Sequence, residues 1–194
     1  LPQRLERLLA TRERAVLEEP DAVSCAVLVP LVREDDGWAV LYTLRSEDLP
    51  SHRGQVSFPG GKQAASDRSL LETALREASE EIGIDPRKVS VLGQLDDVYT
   101  LVTGYVITPF VGLIPSGTRL VPNPAEVREL FTVPVEKLLD PRHHGFEKKN
   151  FREHQIDIEV ITAGPHPIWG ATHRITMNLI ECLRAALQAG RGSA

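Results

Sequence analysis

Cysteine is scarce in this sequence, and long apolar runs and a strong net charge are absent. The 194 residues include two cysteines, Cys25 and Cys182, and no CxxC or Cys/His spacing that is typical of zinc sites. Each cysteine lies in an apolar stretch, so we expect two buried thiols. No apolar run approaches the roughly 18 residues that a membrane-spanning helix needs. The formal net charge of -5 is unfavourable for a general nucleic-acid or membrane-surface binder.

The composition is that of a globular protein. Hydrophobic residues make up 42% of the chain, which is enough for a core, so we expect no disorder outside the ends. The length fits a single domain over residues 1–194. Residues 1–10 carry charges throughout and do not resemble a signal peptide. We therefore expect a soluble, cytoplasmic protein.

Hydrophobic periodicity and turn residues predict intermixed helices and strands. The predicted helices are an N-terminal one at about 3–18, a central one at 70–82 and a C-terminal one at about 175–189 that stops at Gly190, with a helical turn at 135–139. Strands are predicted at 23–32, 38–44, 89–100, 105–114, 131–134 and 156–161. Residues 49–62 and the polar stretch 142–153 are predicted to be loops. This alternation favours an α/β or α+β sandwich.

The central helix carries the most informative pattern. Ser69 and Glu72 have the spacing of a capping box, and Gly83 is a suitable C-terminal stop. One face of this helix is apolar, with its stripe at Leu71, Ala74, Leu75, Ala78 and Ile82. Three glutamates at positions i, i+3 and i+4 gather on a different face, namely Glu77, Glu80 and Glu81.

Local stability does not explain these three glutamates. Like charges at this spacing repel each other, and the helix dipole disfavours anions near the C-terminus. A hard divalent cation explains them, because Mg²⁺ takes carboxylate oxygens together with substrate phosphates. The alternative is a solvated acidic face of a surface helix.

The residues before the helix favour the metal site. Gly60 and Gly61 allow a tight turn with the backbone close to a ligand. Arg76, beside the first glutamate, can hold a carboxylate or a phosphate through its planar guanidinium. The alternative for Arg76 is a surface ion pair with Glu72 or Glu80.

This segment resembles the Nudix family of hydrolases. The family's box is a glycine, five residues, a glutamate, seven residues and then Arg-Glu-apolar-x-Glu-Glu-x-Gly-apolar. Its second half matches at every specified position of the run Arg76-Glu77-Ala78-Ser79-Glu80-Glu81-Ile82-Gly83-Ile84. Its first half departs: one extra residue separates Gly61 from Arg76, and the expected glutamate is absent. Asp67 and Glu72 are the two candidates for its role.

The flanking sequence is similar to the coenzyme A pyrophosphatase branch of that family. The similarity lies in Arg45-Ser46, in Phe58-Pro59-Gly60-Gly61 and in Ile168-Trp169-Gly170-Ala171-Thr172. The resemblance implies an α/β/α sandwich with a mixed sheet and a metal-dependent hydrolase that uses Mg²⁺ or Mn²⁺. It also implies cleavage of coenzyme A to 3′,5′-ADP and 4′-phosphopantetheine. The alternatives are a Nudix hydrolase for ADP-ribose or NADH, and a non-catalytic module that senses a nucleotide.

The resemblance also implies roles for individual residues. Glu77, Glu80 and Glu81 would be both metal ligands and catalytic groups, with Arg76 beside them, and Gly60 and Gly61 would shape the metal and phosphate site. Arg45 and His52 are candidate phosphate or nucleotide contacts, and each has a surface-exposed alternative. The general base is either a glutamate of the box or Glu126, whose alternative is an ordinary acid at a helix N-terminus.

Two further features remain open. The basic residues Arg142, Lys148, Lys149 and Arg152 are close enough in sequence to form a patch for the 3′-phosphate of coenzyme A; the alternative is a solvated loop. The partner is a small-molecule nucleotide, with no nucleic acid and no membrane. The two terminal helices are candidates for a homodimer interface.

Overall fold

The computed structural model describes residues 1–151 and 154–189, which form a mixed sheet with helices on both faces. The helices are α1 (Pro2–Thr11), α2 (Leu70–Ile82), α3 (Val135–Leu139) and α4 (Gly170–Gln188). The strands of the main sheet are β1 (Val23–Glu34), β2 (Gly37–Arg45), β3 (Val56–Ser57), β4 (Gly60–Lys62), β5 (Ser90–Gln94), β6 (Val98–Thr100), β7 (Tyr105–Ile114) and β8 (Val127–Pro134). A smaller sheet contains β9 (His144–Phe151), β10 (His154–Ile161) and β11 (Ile168–Trp169).

The centre of the main sheet is the parallel pair of β1 and β7, in which Val23 lies opposite Tyr105. The other pairings of this sheet are antiparallel, including β2 with β1 and β8 with β2. Successive side chains along β1 point to opposite faces of the sheet, and each face packs against different helices. Val29 and Leu31 face α1 and α4, whereas Leu28 faces α2. The predicted α/β/α sandwich with a mixed sheet is confirmed.

The N-terminal helix is shorter than predicted and ends at Thr11 instead of residue 18. The helix ends here because two aspartates accept hydrogen bonds from the backbone that follows it. The N–H of Ala15 donates to Oδ1 of Asp96 at 2.9 Å, and the N–H of Leu17 donates to Oδ2 of Asp97 at 3.0 Å. The same aspartates interrupt the strand predicted at 89–100, which is divided into β5 and β6.

The C-terminal helix begins earlier than predicted, at Gly170 instead of residue 175. Its first turn lacks large apolar side chains, so the periodic pattern starts one turn late. That turn is held by the hydroxyl of Thr172, which donates to the carbonyl of Val56 at 2.9 Å. The predicted stop at Gly190 lies outside the described residues.

The polar stretch 142–153 was predicted to be a loop, and this is wrong for its described part. A short 3₁₀ turn at Pro141–His143 leads into β9, which pairs with β10 over eight residues. Residues 49–62 also contain the short strands β3 and β4, and β8 starts four residues before the predicted position 131. These strands depend on partners distant in sequence, which local patterns do not reveal.

The structure also bears on the expectations for the two cysteines, for membrane-spanning helices and for the two terminal helices. Cys25 and Cys182 are buried free thiols, as predicted. In the described part of the chain no helix combines the length and the apolarity that crossing a bilayer requires. The apolar faces of α1 and α4 contact each other within the chain, where Leu5 and Leu9 join the main core.

Candidate active site

Helix α2 has the predicted bounds and caps. The hydroxyl of Ser69 accepts from the N–H of Glu72 at 3.2 Å. At the other end, Gly83 has φ +68° and its N–H donates to the carbonyl of Ser79 at 3.0 Å. A left-handed residue at this position favours glycine. Ala78 and Ile82 are fully buried against the sheet, which fixes the direction in which the glutamates project.

Strand β4 brings the backbone of two glycines against two of the glutamates. The N–H of Gly60 donates to Oε2 of Glu81 at 3.2 Å. A Cβ at Gly61 would lie 2.5 Å from Cδ of Glu77, so a side chain at this position would displace the carboxylate. Glycine at 61 therefore allows the Glu77 carboxylate to occupy the adjacent space.

Glu81 is the most buried of the three acids, with 2% of its surface exposed. Burial raises its pKa to about 8, and the nearby Arg45 and the Gly60 N–H oppose this shift only in part. The nearest cationic atom, Nη1 of Arg45, is 3.7 Å from Oε1 of Glu81, too far for a good hydrogen bond. Glu77 is half-buried, and burial raises its pKa as well. Glu81 therefore lacks a close counter-charge, whereas Glu77 is paired with Arg76.

Arg76 connects the acids. Its Nη1 lies 2.9 Å from Oε1 of Glu77 and donates to Oε2 of Glu80 at 3.0 Å. Its Nη2 also donates to the carbonyl of Lys62 at 3.2 Å. The expected pair with Glu80 is present, but Arg76 is far more than a surface partner. Glu72 is not its partner; this carboxylate accepts from Arg68, at the exposed start of the helix.

Asp67 bonds directly to Arg76. Its two oxygens accept from Nε and Nη2 of Arg76, each at 3.0 Å. The hydroxyl of Thr73 and the N–H of Ala64 also donate to Asp67, each at 2.9 Å. These bonds, above all those from Arg76, hold the pKa of Asp67 well below its usual range. Of the two candidates left open by the sequence, Asp67 contacts the site and Glu72 does not.

Arg45 and Glu126 border the same carboxylates. A bulge between Leu44 and Arg45 interrupts the pairing of β2 with β8, and bulges of this kind redirect side chains. The Nε of Arg45 is buried and has no hydrogen-bond partner among the described residues. An orphaned donor of this type suits an anionic ligand.

Glu126 precedes β8 and does not begin a helix, so that alternative is wrong. Its carbonyl accepts from the N–H of Ser46 at 2.8 Å, and its Oε1 accepts from the amide of Asn123 at 3.1 Å. The N–H of Asn123 in turn donates to the carbonyl of Glu81 at 2.9 Å. Asn123 thus links Glu126 to the helix that carries the acids, and the charge of Glu126 contributes to the raised pKa values of Glu77 and Glu81.

His52 is not joined to this cluster by any contact among the described residues. It is exposed, has φ +56°, and its Nδ1 is 3.0 Å from Oε1 of Gln55 within the same loop.

The basic residues between positions 142 and 152 differ in their surroundings. Arg142 pairs with Asp140, Lys148 lies opposite Asp157, and Arg152 lies outside the described residues. Among the described residues, Arg142, Lys148 and Lys149 therefore have different surroundings.

The acids fit a hard divalent cation by chemistry, although their present arrangement is not a preformed metal site. Across residues 1–151 and 154–189, no group of three or more His, Cys, Asp or Glu side chains is arranged to hold a metal ion. Arg76 is positioned between Glu77 and Glu80 instead. Carboxylate oxygens are nevertheless the donors that Mg²⁺ and Mn²⁺ prefer, and glycine at 61 leaves space for the carboxylate of Glu77.

Comparison of the sequence with known proteins identifies a family and several relatives. Residues 24–154 match the NUDIX domain. The human mitochondrial coenzyme A diphosphatase NUDT8 is 38% identical over 183 residues, covering 93% of this chain and 77% of that protein. The Nudix hydrolase NudL of Photorhabdus laumondii is 41% identical over 156 residues, covering 80% of this chain and 82% of that protein.

Solved structures support the fold. A MutT/nudix family protein from Enterococcus faecalis has a TM-score of 0.54 at 16% identity, covering 92% of this chain and 66% of that one. At that identity the likeness concerns the fold alone. Together with the family match and the relatives, it shows that the chain belongs to the Nudix family and is a pyrophosphohydrolase.

Proposed function

We propose that the enzyme hydrolyses the diphosphate bond of coenzyme A and its derivatives in a metal-dependent reaction, releasing 3′,5′-ADP and 4′-phosphopantetheine. The main support is the 38% identity to a coenzyme A diphosphatase over 93% of the chain. The local support is the segment Phe58-Pro59-Gly60-Gly61, which carries the backbone that contacts Glu77 and Glu81.

In this proposal Glu77, Glu80 and Glu81 would hold Mg²⁺ or Mn²⁺. When bound, the ion supplies charge neutralisation on the diphosphate and lowers the pKa of a bound water. The raised pKa values of Glu77 and Glu81 have burial as their main cause, and a cation beside them would favour the charged form of both groups. Asp67 acts indirectly, because it holds Arg76 against Glu77 and Glu80.

Arg45 and Glu126 have separate tasks. The unpaired Nε of Arg45 would donate to a phosphate oxygen and orient the diphosphate for in-line attack. Glu126 would accept the proton of the attacking water, because it lies beside the metal-binding acids without being one of them. Gly60 and Gly61 keep the backbone of β4 close to the carboxylates of Glu81 and Glu77.

Product analysis tests the substrate assignment. The purified protein would be incubated with Mg²⁺ or Mn²⁺ and, in separate reactions, with coenzyme A, ADP-ribose, NADH and a nucleoside triphosphate. Chromatography with mass spectrometry should find 3′,5′-ADP and phosphopantetheine from coenzyme A, and Glu81→Gln should remove them. A preference for ADP-ribose or NADH would reject the substrate while keeping the metal chemistry. Failure to turn over any of the four would favour a nucleotide-sensing module.

A further inference from the structure

Lys149 and Trp169 form a pair at the edge of the smaller sheet. The Nζ of Lys149, on β9, lies 3.5 Å from the centroid of the Trp169 ring, on β11. This is a close cation–π contact, which holds a flexible ammonium in a defined place. Both side chains are partly buried, so the ammonium remains reachable from solvent.

The charge of Lys149 is poorly compensated compared with that of its neighbour. Lys148 lies opposite Asp157 in the β9–β10 ladder, where opposite charges attract, whereas Lys149 lies opposite Ile156. Among the side chains that the structure describes, no carboxylate forms an ion pair with Lys149. Burial lowers the pKa of Lys149, and the charge of Glu147 opposes that shift in part. An incoming anion would therefore find a localised, partly desolvated cation.

The pair lies near β3, the short strand that pairs with β2, on which Arg45 lies. Trp169 immediately precedes α4, whose Thr172 hydroxyl donates to the carbonyl of Val56. Strand β11 contacts β3, and the N–H of Arg45 donates to the carbonyl of Gln55 at 3.0 Å, just before β3. The pair and Arg45 thus lie on two sides of β3. In coenzyme A, the diphosphate and the 3′-phosphate are likewise separated by a single ribose ring.

We propose that Lys149, held over Trp169, binds the 3′-phosphate of the substrate ribose and makes the enzyme selective for nucleotides that carry it. This inference rests on the proposed function. A 3′-phosphate is a compact dianion, and lysine binds such groups as a point charge. The residue determines specificity and takes no part in the bond cleavage, so it should affect substrate binding and leave the chemical step unchanged.

Steady-state kinetics of Lys149→Ala, with coenzyme A and dephospho-coenzyme A as paired substrates, tests this inference. We expect the KM for coenzyme A to rise about tenfold, as for loss of one hydrogen bond to a charged group. The KM for dephospho-coenzyme A and both kcat values should stay unchanged. Lys148→Ala is the matched control, because it removes the same charge from the adjacent position on the opposite side of the strand. Lys149→Arg should retain most of the selectivity.

Product inhibition gives an independent measure. In the wild type, 3′,5′-ADP should inhibit more strongly than 5′-AMP, and Lys149→Ala should abolish that difference. Equal effects of the substitution on both substrates, or none on either, would overturn the inference while leaving the proposed function intact. If the wild type cleaves neither coenzyme A nor dephospho-coenzyme A, the proposed function fails, and the inference fails with it.

Discussion

Asp67 holds Arg76 through two parallel hydrogen bonds of 3.0 Å, and the remaining guanidinium nitrogen of Arg76 reaches two of the box glutamates. The aspartate lies outside the helix, nine positions before the arginine. The pair therefore ties the loop after β4 to the helix that carries the acids.

Breaking this tie should impair metal binding without removing a metal ligand. In Asp67→Asn the amide no longer offers two anionic acceptors, so Arg76 is free to turn away from Glu77 and Glu80. We expect activity at limiting Mg²⁺ to fall roughly 10- to 100-fold, as is usual for groups that orient metal ligands. Titration of activity with Mg²⁺ measures the effect. Glu72→Gln is the control, since that acid bonds only at the start of the helix; an equal loss there would contradict the role of Asp67.

The two glycines of β4 should respond differently to the same substitution. In Gly61→Ala the new methyl meets only the mobile carboxylate of Glu77, which must shift. We expect kcat/KM to fall roughly 100-fold, because small displacements of catalytic groups are costly. In Gly60→Ala the methyl would lie 2.3 Å from the backbone carbonyl of Ala26, so thermal stability should fall as well. Thermal denaturation and kinetics of both variants separate these effects.

Gly145→Ala serves as the control for the glycine variants, because no atom outside its neighbours lies within 4 Å of the added Cβ. It should leave both stability and activity close to wild type. Full activity of Gly61→Ala would show that catalysis does not depend on the present position of the Glu77 carboxylate.

Replacement of Glu126 should separate proton transfer from metal binding. Glu126→Gln keeps the contact with Asn123 but removes a base, so we expect kcat to fall roughly 100- to 10,000-fold at unchanged metal affinity. Glu81→Gln should lose both. Isothermal calorimetry with Mn²⁺ together with kinetics distinguishes the two variants. A Glu126→Gln enzyme with wild-type kcat would indicate that a glutamate of the box is the general base.

Metal removal should abolish activity and leave the fold intact. Treatment with EDTA is expected to stop hydrolysis, and added Mg²⁺ or Mn²⁺ to restore it. The melting temperature should change by less than the 2–4 °C that about 1 kcal/mol produces in a domain of this size. The reason is that Arg76, a residue of the fold itself, bonds Glu77 and Glu80. Unfolding on chelation would contradict this arrangement.

The buried thiols should be unreactive in the native enzyme. Burial raises the pKa of Cys25 to about 11 and also raises that of Cys182. Since the thiolate is the reactive form, alkylation at pH 8 should be slow in buffer and fast in denaturant. The unfolded thiols ionise near pH 8.5, so their burial stabilises the fold below that pH, and the contribution of Cys25 is lost as the pH rises through about 11. Timed alkylation and alkaline denaturation measure both effects.

The parts of the structure that sequence predicted well are those encoded locally. Helix α2 was placed correctly because its cap, its apolar stripe and its terminal Gly83 lie within a few residues of one another. The grouping of Glu77, Glu80 and Glu81 follows from helical spacing alone. The bond between Asp67 and Arg76 was not predicted, although Asp67 was one of two candidates for the missing glutamate, because the loop between them has no periodicity from which to derive its path.

The errors arise where tertiary contacts override local preference. Helix α1 stops early because Asp96 and Asp97 bind the following backbone, and these acids are far away in sequence. Strand β9 is polar and resembles a loop until β10 provides its hydrogen-bonding partner. The pair of Lys149 and Trp169 was likewise out of reach, since it depends on the β9–β10–β11 order.

The parallel pairing of β1 with β7 has a consequence for how the enzyme folds. Parallel strands cannot be joined by a tight turn, and here β2, β4 and α2 all lie between the two partners in sequence. Such non-local contacts make folding slow, because a long loop must close before they form. During synthesis, the glutamate helix emerges before the strand that completes the sheet beneath it. Docking of Tyr105–Ile114 beside β1 therefore completes the sheet next to β1 and β4, the strands that the glutamate helix packs against, in one late folding step.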